Sequence, residues 1–356
     1  GNIVSVVDYT NTFQTNNLTI TPNGSQKIGG VSASQALSTE GQSVTFVYVD
    51  DTEGWKNVQD STSNATGNPN LVATGGTVST SGNYKIHTFT GPGTFTVSNA
   101  STTAANNIVS YVVVAGGGGT PGGGFGGGGA GGFREYKGPA DCYSASPLNG
   151  NPGGTAVTLT AQAYPITVGG GGTAGIAPGS PTPNNGGVGN PSVFSTITST
   201  GGGAGKNNNA SIPISTGGSG GGGSRDSTAG GTGNTPPVTP SQGNDGGTGI
   251  FAGPQYGAGG GGGAGGSGNN GSSSSGGPGG NGVDSSINGS PGVRAGGGGG
   301  GTYSSSAGGA AGPGGGGAQG CNGQAETGGG GGGSVGAGAV GKAGGGGVVI
   351  LRYKFQ

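Results

Sequence analysis

Along the first hundred residues, apolar and polar positions alternate in short stretches bounded by turn formers. "NIVSVVDYT", "NNLTITPNGS" and "SVTFVYVDD" place Val, Ile, Thr, Tyr and Phe at a spacing close to two, the period of a half-buried β-strand. In "SVTFVYVD", Val44, Phe46 and Tyr48 fall on one face and Thr45, Val47 and Val49 on the other. "PNGS" at 22–25 supplies a turn, because Asn and Gly tolerate positive φ. Trp55, the only tryptophan, follows "DDTEG" and is expected to plug one end of this small unit. A polar linker, "DSTSNATGNPN", spans 60–70. Two more alternating strands then flank "GPG": Ile86, Thr88 and Thr90 alternate with His87 and Phe89, and Phe95 and Val97 follow the turn. The apolar strand Ile108 to Val114 leads directly into glycine.

From Ala115 to Gly347 this patterning stops. Long glycine runs lie at 116–132, 169–175, 217–223, 257–268, 296–301, 312–317 and 328–333, separated by short polar breaks. Glycine does not recur strictly every third residue, so this is not collagen. Poor helix propensity and the lack of a 3.6-residue apolar period exclude helices. Two options remain: disorder, or polyproline-II-like helices with three residues per turn, packed so closely that their backbones hydrogen-bond to one another. Each satisfied bond contributes about 0.5–1.5 kcal/mol against about 1–2 kcal/mol of backbone entropy per residue, so only cooperative packing of many runs succeeds. The expected architecture is mostly β and polyglycine-II with essentially no α-helix. An N-terminal β module over 1–60 is followed by a linker and second β segment over 61–110. A glycine-rich domain over 111–356 comes last, its runs forming a slab about 20–35 Å deep at ~3.1 Å per residue. "IVSYVVVA" and "GVVILRYKF" bracket that domain and are expected to pair at one end, closing it against the β region.

Composition sharpens the picture. Glycine contributes 101 of 356 residues, charged residues are 6 %, and the net charge is −1. That balance leaves no electrostatic footprint for nucleic acid or anionic membrane. No apolar stretch has the length of a membrane span. With no methionine and Gly1 first, the chain reads as processed or as a piece of a longer one. Cys142 and Cys321 fit no metal spacing, and either one disulfide or two free thiols is compatible with their positions.

"YVVVAGGGG", "GGGGAGGFREYK", "YPITVGGGG", "SVFSTITSTGGGAG" and the closing "GGGGVVILRY" together resemble the glycine-rich domain of tail-fibre and adhesin proteins of tailed bacteriophages, particularly those of marine phages. The N-terminal stretch through "STEGQSVTFVYVDDTEGWKNV" is similar to a small β module that recurs in phage appendages. The resemblance implies an extracellular virion component, often trimeric in its shaft and joined to other appendage subunits. Its polyglycine-II scaffold would present loops to a host receptor, either a glycan or an outer-membrane protein.

Side chains leave such a scaffold where glycine runs break, so binding residues are sought there. The richest break, "FREYKGPADCYSASPLNGNP", offers Arg134, Tyr136, Lys137 and Tyr143. Aromatic rings and guanidinium groups on loops suit recognition of sugars or protein loops. Phe133 and Arg134 could equally anchor this loop to the bundle edge, while Tyr136 and Tyr143 are expected to face solvent. "GIFAGPQYGAG" adds Phe251 and Tyr256, and "GTYSSS" adds Tyr303, each suited either to receptor contact or to capping the bundle end. "AYPITV" and "GNPSVFSTITST" read as packed strands carrying Ile166, Val193, Phe194 and Ile197.

Enzymatic signals are weak. His87 is the only histidine and has no partner for metal or nucleophile chemistry. "GAGAVGKA" at 336–343 imitates a phosphate loop, yet Ala343 stands where a magnesium-binding Ser or Thr belongs and no helix can follow. Asp50, Asp51 and Glu53 read as solvated turn charges rather than as a Ca²⁺ site or glycan-cleaving acids. No enzyme activity, cofactor or metal is expected. The rival classes are a structural spacer or virion decoration, and an ice-binding protein, whose flat regular Thr or Ala face the irregular breaks do not provide. The sequons at Asn17, Asn64 and Asn209 are what a chain rich in Asn, Ser and Thr produces by chance.

Overall fold

The structure is a computed structural model and describes residues 1–61, 69–123, 126–176, 185–207, 215–226, 228–303, 307–336 and 338–356. Most of the linker expected at 60–70 and the sequons at Asn64 and Asn209 lie outside these residues. Strands β1 (Ile3–Val7), β2 (Leu18–Ile20), β3 (Gln35–Leu37), β4 (Ser43–Asp50) and β5 (Gly54–Asp60) form an N-terminal unit. β1, β4 and β5 make an antiparallel sheet and β2 pairs with β3. The alternation in β4 is realised: Val44 and Phe46 enter a small core with Ile28 and Leu37. Trp55 packs against that core and donates its indole N–H to Gln26 Oε1 at 3.0 Å. The acidic turn is self-contained, with Asp50 Oδ1 accepting the amides of Thr52 and Glu53 at 2.9 and 2.7 Å and Lys56 bridging Glu53 at 2.7 Å.

The rest of the chain is a β-sandwich with a glycine bundle growing from it. Its strands are β6 (Val72–Thr74), β7 (Thr77–Ser81), β8 (Tyr84–Phe89), β9 (Gly93–Asn99), β10 (Ile108–Val114), β11 (Phe133–Tyr136), β12 (Val157–Thr158), β13 (Ala163–Thr167), β14 (Ser192–Phe194), β15 (Ile197–Ser199), β16 (Val283–Ser285), β17 (Gly292–Arg294) and β18 (Val348–Lys354). A 3₁₀ turn at Ala104–Asn107 is the only helical turn among the described residues. One sheet runs β11-β10-β18-β8-β7, with β12 also on β10; the other runs β15-β14-β13-β9-β6. β8 and β9 flank "GPG" but enter different sheets, so this turn carries the chain across the sandwich. The expected pairing of the two bracketing strands is present, from Ser110 opposite Arg352 to Val114 opposite Val348.

Why β10 and β18 are apolar almost throughout follows from their position. Val109, Tyr111 and Val113 of β10, with Val349, Leu351 and Tyr353 of β18, face the opposing sheet's Phe95, Tyr164, Ile166, Phe194 and Ile197. The alternate residues Val112, Val114, Val348 and Ile350 face the other way, under Phe133, Tyr143, Val283 and Ile287. A sheet covered on both faces needs apolar residues at both parities.

Between β10 and β18 the chain leaves the sandwich and returns repeatedly. The pass at 126–132 displays the rule that organises the bundle. Amides of Gly126, Gly129 and Gly132 donate to the carbonyls of Lys206, Gly203 and Thr200; those of Gly127 and Ala130 to Gly259 and Gly262; those of Gly128 and Gly131 to Gly331 and Gly328. Every third residue therefore addresses the same neighbour, which is the three-residue turn of a polyglycine-II helix. Its own carbonyls accept amides from Gly118, Ser219, Gly222 and Gly298 in three further passes. This helix consequently has six neighbours, in both parallel and antiparallel directions, because its bonds radiate across the axis rather than along it. A Cβ built on Gly128 would press into the Gly118 carbonyl and lie 2.9 Å from the Gly331 amide. Only glycine permits that approach, and this answers the entropy cost of ordering it.

Candidate functional site

Following the passes outward from the strands sorts the breaks into two ends. The bundle's near end adjoins the sandwich, and its far end carries Arg225 and Asp226, the segments 250–256 and 272–275, and Tyr303. Gln255 N donates to Ser273 O and Tyr303 N to Gln255 O, both at 2.9 Å, so three of these far turns are tied together by backbone.

At the far end three sequence-predicted residues meet. Phe251 and Tyr256 lie with ring centroids 5.2 Å apart and planes inclined at 47°, and Tyr256 meets Tyr303 edge-on at 6.2 Å. Phe251 is 66 % exposed and Tyr303 54 %, whereas Tyr256 between them is half-buried. Tyr256 has φ of +47°, a left-handed conformation that a bulky residue rarely adopts. Its amide bonds to Ala252 O at 3.1 Å, and its ring is flanked by the other two, so the surroundings hold it there. The Arg225 guanidinium lies over the Tyr303 ring at 5.3 Å, with Asp226 Oδ1 4.0 Å from its Nε. Beside them, Ser272 Oγ accepts the Ser275 amide at 2.9 Å, leaving the turn residues Ser273 and Ser274 exposed. Ser304 to Ser306 of the "GTYSSS" break lie outside the described residues.

The other predicted group sits at the near end, and here the solvent-facing expectation for Tyr136 and Tyr143 is corrected. Both are 7 % exposed. Tyr136 belongs to β11, opposite Tyr111 in the register, and stacks on that ring at 6.0 Å. Tyr143 donates its hydroxyl to buried Glu135 Oε1 at 3.1 Å, and burial together with the Glu135 charge pushes its pKa well up. Glu135 also accepts from Ser285 Oγ at 2.6 Å and Ser146 N at 2.8 Å. Beside it Arg352 Nε donates to both Asp141 oxygens at 2.9 and 3.1 Å and stacks over Tyr84 at 4.4 Å. The loop is thus clamped onto the sheet by buried polar groups and cannot offer these rings to a ligand. Phe133 anchors it, fully buried, with Arg134 beside it half-buried on β11. Lys137 is half-buried and places its ammonium 5.6 Å from the Tyr143 ring centroid.

Arg225 was not singled out by sequence, although "SRDS" at 224–227 is a break like the others. Cys142 and Cys321 are free, exposed thiols. Among the described residues no group of three His, Cys, Asp or Glu side chains could hold a metal ion, and no helix is long and apolar enough to cross a membrane.

No curated protein and no solved structure matches this chain. A family model described as a glycine-rich domain matches residues 88–354. The matched span begins in β8 and ends in β18, two strands that pair directly, so it contains the whole excursion from sandwich to bundle and back. The chain belongs to this glycine-rich domain family.

Proposed function

We propose that the protein is a virion appendage component of a tailed bacteriophage, acting in attachment to the host cell through its far-end loops. The observation that carries this reading is the convergence of Phe251, Tyr256, Tyr303 and Arg225, from three separate breaks, on one exposed ridge. Supporting it are the family resemblance of the glycine phrases and of the N-terminal module, and the composition of the far loops. Tyr, Ser, Gly, Asn and Arg are the residues of antibody paratopes, where rigid rings supply contact area and small polar groups adapt. A scaffold bound through its own backbone leaves loop side chains free for recognition. Its partners would be a host-surface receptor and other appendage subunits, with the chain acting as a homotrimer.

The test is binding of fluorescently labelled protein to a panel of bacterial strains that includes the host. Selective binding is expected, lost in the Phe251→Ala/Tyr303→Ala double variant and retained in Val58→Ser, which alters an exposed residue of the N-terminal module. Folded protein that binds no strain, or all strains equally, would leave the structural spacer as the better reading.

A further inference from the structure

Building on the contact surface proposed above, we infer that the far-end ridge is a sugar site, taking a neutral pyranose of a surface glycan. A pyranose has one face of C–H groups and a rim of hydroxyls. It therefore asks for an aromatic face with small hydrogen-bonding groups around it. The ridge offers both. Phe251 and Tyr303 project into water at either side of Tyr256, and the inclination of 47° between Phe251 and Tyr256 gives a stepped rather than flat surface. Beside it stand the exposed Ser273 and Ser274, tied to Gln255 through the Ser273 carbonyl, and Arg225 over the Tyr303 ring.

Charge argues for a neutral sugar. Arg225 is accompanied by Asp226 at 4.0 Å, so this edge carries no net charge to attract a sulfated or phosphorylated ligand. Size argues against a protein epitope, which engages about 20–30 residues a side, whereas the ridge gathers four side chains from three breaks. Rigidity argues for usable affinity from so small a site: the backbone ties Gln255 to Ser273 and Tyr303 to Gln255, and Tyr256 is held left-handed, so little ordering remains to be done on binding.

The experiment uses the full chain and a set of methyl pyranosides (gluco, galacto and manno), read by saturation-transfer NMR with irradiation of the aromatic protons. At least one glycoside should receive saturation on its ring C–H protons, with a Kd on the order of 1 mM. In Phe251→Ala/Tyr303→Ala that affinity should fall by about tenfold or more, the equivalent of losing stacking contacts. Absence of transfer from all three, or equal transfer with the variant, overturns the sugar site. A cell arm separates this inference from attachment itself. Binding abolished by periodate and resistant to protease supports the glycan, whereas binding abolished by protease and resistant to periodate overturns it while attachment stands. Glycoside binding by protein that binds no cell leaves the sugar site and removes the attachment reading.

Discussion

The sandwich and the bundle are both dry interiors, yet they are held together by opposite parts of the chain. In the sandwich, side chains fill the space: Phe95, Tyr111, Phe194 and Tyr353 lie between two sheets whose backbones bond from strand to strand within each sheet. In the bundle there are almost no side chains to bury. The passes are packed backbone on backbone, and the one at 126–132 bonds to neighbours on all sides. The first kind of interior tolerates a change of shape by letting neighbours relax, at a graded cost. The second has nothing flexible to move, so it should fail sharply at single atoms.

The largest effect expected is therefore from the smallest addition. Gly128→Ala places one methyl carbon against the Gly118 carbonyl and the Gly331 amide in a pass with six neighbours. An extra methylene in an ordinary core costs about 1–3 kcal/mol, because side chains there shift aside. In the bundle the obstruction is main chain, and its movement would break bonds in adjoining passes. The cost should exceed that range and show as loss of the cooperative thermal transition by calorimetry. A Gly128→Ala protein melting within a few degrees of wild type would overturn the idea of a backbone lattice.

Removing a side chain from the sandwich edge should come next. Arg352→Ala would leave the Asp141 carboxylate, whose side chain is 4 % exposed, without the Nε–H that both its oxygens share. Breaking a buried pair by deleting one member costs about 3–5 kcal/mol, chiefly from the charge left behind. Urea denaturation should report a lower midpoint with an unchanged slope. An effect below about 1 kcal/mol would mean that water reaches Asp141 and that the pair behaves as a surface one.

The same contrast explains how much of the molecule could be read from sequence. The sandwich strands were legible because period-two alternation and doubly apolar strands are side-chain signals; β10, β18, β13 and β14 all stand where the pattern put them. Threefold packing of glycine runs was legible as one of two options, since glycine's poor helix propensity removes helices but leaves disorder as the alternative. The sorting of breaks into two ends was not. Residues 116–132 read as one glycine run, but Thr120 and Pro121 sit at a turn inside it, so 116–120 leads out and 126–132 leads back. That reversal returns "FREYK" to the sandwich, and the pattern of runs and breaks carries no sign of it. The tyrosines of this break have the look of loop residues, but β11 places Tyr136 in the sheet and Glu135 holds the Tyr143 hydroxyl. The Glu135 and Arg352–Asp141 contacts that clamp the loop join residues up to 211 positions apart, beyond any local pattern.

A smaller effect, confined to the sandwich, follows from His87. The imidazole is fully buried between Phe95 and Tyr353, donates Nδ1–H to Gly75 O at 2.7 Å and turns Nε2 to the Tyr353 hydroxyl at 3.4 Å. Burial pulls its pKa below the usual 6.5, with Lys85 acting in the same direction and the Gly75 bond opposing. A histidine kept neutral in the fold binds fewer protons than the unfolded chain below pH 6.5. Stability is therefore full above that value and is lost progressively as pH falls toward the folded pKa. Melting temperatures between about pH 7 and pH 5 should decline in wild type and decline less in His87→Phe, since carboxylates titrate mostly below that window. Parallel slopes for the two proteins would show that His87 protonates freely in place.

The smallest effect has the opposite sign to the first, although the substitution is the same. Gly338 is an exposed turn residue at the far end, where an added Cβ meets no atom within 4 Å and φ is outside the left-handed region. Nothing in the folded state resists Gly338→Ala, while the unfolded chain loses conformational freedom. The variant should be more stable by about 0.4–1 kcal/mol, a rise of a few degrees at most in melting temperature. Measured beside Gly128→Ala, it isolates what the glycines are for. Inside the bundle they admit a neighbouring backbone, whereas at its tip glycine is only an entropic cost that selection has left in a turn. Destabilisation by Gly338→Ala as large as that of Gly128→Ala would show that glycine's conformational freedom, rather than close approach, is what the whole segment requires.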